Sequence, residues 1–577
     1  MAFALDLVVG VAGLAVSLDR VRTNAQALGS LGSPDLDLER LRALRADAGR
    51  AGWFAGHPAL RAAAVVVPDL ATAASLARAS EDLSGPAVAL AESFSGGAGL
   101  FVDGRVDIDR LRAAGRHART LHADAGNWSD RLAGASSPWS ATLRAAVHDV
   151  TEELDGLVGP LGKLAATLDM LPSVLGADGP RTYLLSFQSP SEARGGGGLI
   201  GVVGELRAAT GTLELGAIRS VRELVRRMHG RVSAPAGFAR TYQPLLALTE
   251  WRNANVSPNF PITARIMLQM YRRSTGVEAD GVLSTDPLAV GALTDVTGPI
   301  RADGWNVAIT KDNVRRVLLH DVYRHFHFRE HVQNVYFENL IDAFWSNLTS
   351  GEIDPVALAE PVARSIARQR LKLYLTDPTE QQTIARLGAE GAFHDEPGAQ
   401  MVFTNNLAAN KIDFFLHRAV TTRVRLREDG SAAVRTEVVL DNRIEELERN
   451  VIARPGVQRS LPLGLNRSSL SVLMPPGAGR ISMLVDGRVL TPRVGTDAGH
   501  PVASTFVDVP ARRTTRVLVV YRVPAAVVDG RFRLTLVPQA TARPDRVTVE
   551  VDRADGTLIF EAEEVLKEPL RVDVPAT

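Results

Sequence analysis

The spacing of apolar residues divides the chain into three stretches. From residue 20 to about 175 it is helical: Leu38, Leu41, Leu44 and Ala48 recur at three and four, as do Ile108, Leu111, Ala114, Ala118 and Leu121. Each run puts one apolar stripe on a helix, predicting helices packed in a hairpin or bundle. The small polar stretches 95–99 and 134–138 read as loops between them. Pro172, Gly176, Gly179 and Pro180 then predict a break in the helix.

Beyond the break the period shortens. Residues 183–187 are almost continuously apolar, as in a strand buried on both faces. Residues 199–208 and 212–218 read as two further strands joined by a hairpin at Thr210-Gly211. DGVLSTDPLAVGALTDVTGPI predicts a strand, a helix from about Asp286, and a stop at Gly298-Pro299. Helical patterns run from Lys311 to about Arg370. Residues 176–400 are therefore expected to form one α/β domain. From Val402 alternation at period two dominates, with a hairpin at Asp429-Gly430 and later runs TTRVLVVYRV, GRFRLTLV and RVTVEV. Residues 401–577 are expected to be β-sandwich material. The fold class is α+β and multidomain, which suits 577 residues.

The N-terminus supports two readings. Residues 2–18 are apolar apart from Asp6. They serve either as a weak membrane anchor (residues 1–19) or as an amphipathic or buried first helix. An Asp in the bilayer core costs roughly a few kcal/mol, and no basic region precedes the stretch.

Composition narrows the chemistry. Lys+Arg and Asp+Glu are both 65, so no global field draws nucleic acid. The absence of cysteine excludes disulfides, thiolate metal sites and Cys nucleophiles. Lysine is nearly absent, and arginine carries almost all the positive charge.

One stretch stands out: PSEARGGGGLIGVVGEL, residues 190–206. No Lys follows the four glycines, so it is not a P-loop, and a strand rather than a helix follows, so it is not a dinucleotide fingerprint. Glu192 and Arg194 share a face if the backbone is extended. Two readings remain: an anion nest of backbone N–H groups beside an arginine, or a turn with a structural Glu–Arg pair. Arg219, Arg222 and Arg226 fall on one helical face if the segment is a helix, which makes either a patch for lipid phosphates or a solvated face. Asn253, Asn255, Ser257 and Asn259 form a polar cluster that either lines a site or makes turn bonds.

RTYLLSFQSPSEARGGGGLIGVVGEL resembles the pattern of domain-of-unknown-function family 4012. WRNANVSPNFPITARIMLQMY, VEADGVLSTDPLAVGALTDVTGPI and NNLAANKIDFFLHRAV resemble its later marks, in the same order. The resemblance implies an extracytoplasmic, membrane-anchored protein of the cell envelope. It is carried by residues 170–520. A more distant similarity is to the LytR-CpsA-Psr phosphotransferases. It implies an α/β core of that fold and a polyprenyl-phosphate lipid or cell-wall glycopolymer as partner. Arg194 stands in the place of the first arginine of that pattern, with Arg219 and Arg222 for its basic tail. Gly196 stands where those enzymes have a metal-binding Asp, so Mg²⁺ would need Glu192 or another acid.

The expected function is thus that of an envelope protein binding a glycopolymer or polyprenyl-phosphate ligand through Arg194, Glu192, Arg219, Arg222, Asn253 and Asn255. The alternatives are a transferase using Mg²⁺ and a zinc hydrolase. The latter rests on HFREH, which has the form H-x-x-E-H with His327, Glu330 and His331. His320 and His325 lie just before it.

Overall fold

The computed structural model describes residues 11–18, 20, 38–94, 101–102, 104–134, 139–327, 329–349, 353–392, 398–447, 452–456 and 460–576. Packing divides the chain into two compact units. The first comprises Met1–Arg181, Ala208–Leu213 and Thr349–Glu360, and the second comprises Thr182–Arg207, Glu214–Leu348 and Pro361–Thr577.

The first unit is built on helices Leu38–Ala55, Pro68–Phe94, Ile108–Ala133 and Ala141–Val174. The expected stripes face inward: Leu41, Leu44 and Ala48 are buried in one cluster, and Leu111, Ala114, Ala118 and Leu121 in another. Asp107 caps its helix by accepting from the Arg110 N–H at 3.0 Å. Pro172 does not break its helix as expected. It sits in the last turn, where the missing N–H forfeits a single bond, and the chain turns at Gly176 with φ +77°. Residues 11–18 are helical, and Leu14 is buried in the same cluster as Leu41 and Leu44. Among the described residues no helix is long and apolar enough to cross a membrane. Residues 1–10, the loop 95–99 and most of 134–138 lie outside the described residues.

The second unit opens with a sheet in which Thr212–Ser220, Gly197–Ala209, Arg181–Arg194, Gly281–Thr285 and Lys372–Leu375 lie side by side. Arg181–Arg194 and Gly281–Thr285 run parallel, with Tyr183 opposite Gly281 and Phe187 opposite Thr285. Parallel neighbours need a crossover, and the helices Val221–Arg227 and Phe260–Thr275 lie in the connection. The hairpin tip, which belongs to the first unit, turns at Thr210 and Gly211, whose φ values of +48° and +84° are those of the tight primed turn. Asp286 caps helix Pro287–Thr297 by accepting from Leu288 and Ala289 N–H, each at 2.9 Å.

Residues 399–575 form two mixed sheets of mostly antiparallel strands. One is centred on Leu416–Leu426, Ala432–Asn442 and Thr514–Val523, the other on Ala399–Asn406, Asn466–Leu473 and His500–Val509. Val424, Val438 and Val517 of the first share an apolar cluster with Leu470, Val472 and Val507 of the second. Gln400 ties the sheets within that cluster: its amide donates to Thr422 and Thr436, and it accepts from the Tyr521 hydroxyl at 2.6 Å. Ala399–Asn406 is buried along its whole length, and its last residues carry the polar groups that meet the glycine turn.

Candidate functional site

Glu192 and Arg194 end the strand Arg181–Arg194 and point to the same side. Their charged groups meet at 3.1 Å, each side chain 6% exposed. The other Glu192 oxygen accepts from Lys411 Nζ at 2.8 Å, so one carboxylate serves two cations. Burial works to raise the Glu192 carboxyl, but the Lys411 ammonium and Arg194 guanidinium outweigh it and hold it below the ordinary carboxylate range. Burial likewise works to lower Lys411, and Glu192 overrides it and raises the ammonium. Arg194 is pinned further, donating from Nε to Asn253 Oδ1 at 3.1 Å and from Nη1 to the Ala193 and Asn406 carbonyls. Asp413, buried nearby, accepts instead from Ala193 N–H, Asn406 and Asn466.

The glycine turn is a point of close backbone approach. A Cβ on Gly195 would lie 2.1 Å from the Val256 carbonyl oxygen, and one on Gly198 would lie 2.1 Å from the Ser189 carbonyl carbon. Gly197 has φ +133°. The turn's amides are already engaged: Gly195 N–H donates to Asn405 Oδ1, Gly196 N–H to the Asn255 carbonyl and Gly198 N–H to Gln188 Oε1. These three amides are committed to structural partners within the turn. Lys372 Nζ donates to the Gly196 carbonyl at 2.6 Å. Burial, with Arg370 adding to it, depresses its ammonium to about 8.

The loop after Trp251 splits the same way. Asn255 is fully buried and donates to the Gly198 carbonyl at 2.7 Å, so it ties the loop to the turn. Ser257 donates to Asp497, and Asn259 caps helix Phe260–Thr275. Asn253 lines a cavity, with its amide donating to the Leu245 carbonyl.

Cavities open in this unit among the described residues, and two of them bear on these side chains. The first, about 460 Å³, is a groove with apolar walls from Phe187, Ile200, Val290, Phe337, Ile341 and Phe344. Lys411, Arg222 and Arg252 add positive charge to its lining, and Asp286 and Glu330 add negative charge. The second, about 990 Å³, holds Glu192, Arg194 and Asn253 in its wall beside Leu245, Leu246, Val256 and Phe506. Arg252 lines both.

Residues 178–323 match the family described as Protein of unknown function (DUF4012). The DUF4012 stretch contains the glycine turn, the Asn253 loop and Asp286, but not Lys372 or Lys411. No curated protein matches the chain. Among solved structures, a candidate nutrient binding protein of Legionella pneumophila subsp. pneumophila str. Philadelphia 1 is similar at 10% identity and TM-score 0.23, over 31% of this chain and 71% of that one. A variant M1 zinc metallopeptidase of Deinococcus radiodurans, bound to a Tyr-Ser-Ala substrate, is similar at 13% identity and TM-score 0.14, over 24% and 32%. Likeness of this size carries no argument about fold or activity.

The remaining expected residues of the DUF4012 stretch part company. Arg219 lies in strand Thr212–Ser220, because Ser220 caps the helix that starts at Val221. It therefore does not share a helical face with Arg222 and Arg226, and it pairs loosely with Glu223 at 3.7 Å. Arg222 lines the apolar groove, paired with Glu330 at 3.0 Å. Mg²⁺ does not fit at Glu192, since both of its oxygens are taken by cations. The zinc motif is also dispersed. Helix Glu330–Thr349 begins after His327, so His327 and His331 share no helical face. His325 stacks on Trp305 at 4.5 Å, and His320 bonds Asp321. Among the described residues no three His, Asp or Glu are grouped to hold a metal.

Sequence reasoning missed Lys411, Lys372, Asn405 and Asn406. The available signal was NNLAANKID, where polar residues interrupt an apolar run, one of them a lysine in an arginine-rich chain.

Proposed function

We propose that the second unit binds an amphiphile, a long apolar chain carrying a phosphate-type head group, as in a polyprenyl phosphate or the glycopolymer built on one. The observation that carries this reading is the apolar groove whose polar lining includes Lys411, one of two cations sharing a single buried carboxylate. Its volume suits a ligand chain of drug size, and aromatic and aliphatic walls favour burial of hydrocarbon by roughly 25 cal/mol per Å². The LytR-CpsA-Psr likeness, a β-sandwich reading of the C-terminal sheets and an extracytoplasmic place at the envelope belong with this proposal. They would present the groove to lipid-linked polymer. No observation favours a transfer step, so the reading is one of binding.

Titration of the full chain with farnesyl phosphate and with farnesol tests it. Wild type should bind the phosphate about tenfold more tightly than the alcohol. Phe344→Glu, which puts a charge in the apolar wall, should abolish both. Absence of binding by wild type, or indifference to Phe344→Glu, would remove the groove from consideration.

A further inference from the structure

The larger cavity combines apolar lining with a balanced set of charged side chains. Three arginines line it, and each meets a carboxylate there: Arg194 with Glu192 at 3.1 Å, Arg252 with Glu250 at 3.1 Å, and Arg467 Nε with Asp508 at 2.7 Å. Cations and carboxylates in the wall are thus equal in number, leaving little net field to hold an anion. What they offer instead is a dense set of planar donors and acceptors. Guanidinium, carboxylate and amide groups each reach two neighbouring hydroxyls at once. Asn406 adds to the set: it is 2% exposed, lines the same cavity, and its Oδ1 has no hydrogen-bond partner. A burial this complete without a partner is costly, and a ligand hydroxyl would relieve it.

The rim supplies the other half of the chemistry. Phe506 is 49% exposed, and Leu246 is 59% exposed in a left-handed conformation with φ +57°. An exposed aromatic ring beside paired planar polar groups suits a ligand that is hydroxyl-rich at its edges and C–H-rich on its faces. A pyranose ring has that form. We infer that the cavity lined by Arg252, Asn253, Asn406, Arg467 and Phe506 is a binding site for an uncharged saccharide. The inference rests on the amphiphile reading and names the second part of the same ligand. Arg252, in the wall of both cavities, is the residue through which the two parts would be linked.

Calorimetric titration of the full chain with hexasaccharides of glucose, of N-acetylglucosamine and of galacturonate tests this. At least one of the two uncharged sugars should bind. Phe506→Ala, at an exposed position, and Arg467→Ala, at a half-buried one, should each weaken it by about tenfold or more while leaving farnesyl phosphate affinity unchanged. Failure of both uncharged sugars, indifference to both substitutions, or a preference for galacturonate would overturn the inference. Sugar binding without farnesyl phosphate binding would sustain the saccharide site and reject the groove reading. The reverse result would do the opposite.

Discussion

Arg194 is held by four acceptors, so its removal leaves more behind than a gap. Glu192 keeps only Lys411, and Asn253 Oδ1 loses its Nε donor. Breaking a buried ion pair from one side costs about 3–5 kcal/mol, and Arg194→Ala should lose that much in urea denaturation. Arg194→Lys should recover little of it, since an ammonium cannot make the same fork of bonds. A loss below about 1 kcal/mol would show the pair to be a surface-like contact. Lys372 gives a pH signature of its own. Its folded-state value of about 8 lies below the usual 10.5, so the folded chain sheds this proton first. Between those values the unfolded chain binds more protons, and stability rises with pH. The gain across that window is on the order of 3 kcal/mol. Lys372→Met should remove it, seen as the difference between the two stability profiles from pH 7 to 11. Parallel profiles would mean that the ammonium is not desolvated by its surroundings.

At the scale of elements, the glycine turn behaves as a packing device, and its four glycines should not be equivalent to their neighbour downstream. Gly195→Ala drives a methyl group into the Val256 carbonyl and should cost about 1–3 kcal/mol or more, as overpacking does. Gly201→Ala meets nothing within 4 Å and should stay within about 0.5 kcal/mol of wild type. Equal effects would mean that the turn relaxes freely. Local chemistry of this kind was legible in the sequence wherever it is written in consecutive residues. Thr210-Gly211 marked the hairpin, Asp286 before Pro287 marked the helix start, and Leu41, Leu44 and Ala48 marked a buried face. What could not be read was convergence. Lys411 reaches Glu192 across 219 residues, and Gln539 donates to the Arg194 carbonyl across 345. Pattern within a segment says nothing of such meetings. The same limit explains why Arg219 was placed on a helix. A single capping serine, Ser220, moved it onto the strand. It also explains the zinc motif, which a helix starting at Glu330 pulls apart.

At the scale of the whole molecule, the two units keep separate cores. Leu121 is 2% exposed in a cluster of residues from the first unit, and Leu470 is fully buried in the cluster shared by the two C-terminal sheets. Cooperativity follows shared packing, so each core should melt as its own unit, and the chain as a whole should not be two-state. Leu121→Ala and Leu470→Ala each open a cavity worth about 2–5 kcal/mol. Differential scanning calorimetry of the full chain should resolve two transitions, with Leu121→Ala lowering one midpoint and Leu470→Ala the other. Farnesyl phosphate, if held in the groove, should raise only the transition that Leu470→Ala lowers, because binding stabilises the unit that carries the site. One transition shifted alike by both substitutions would show that the cores unfold together, and would remove the basis for assigning ligand effects to one unit.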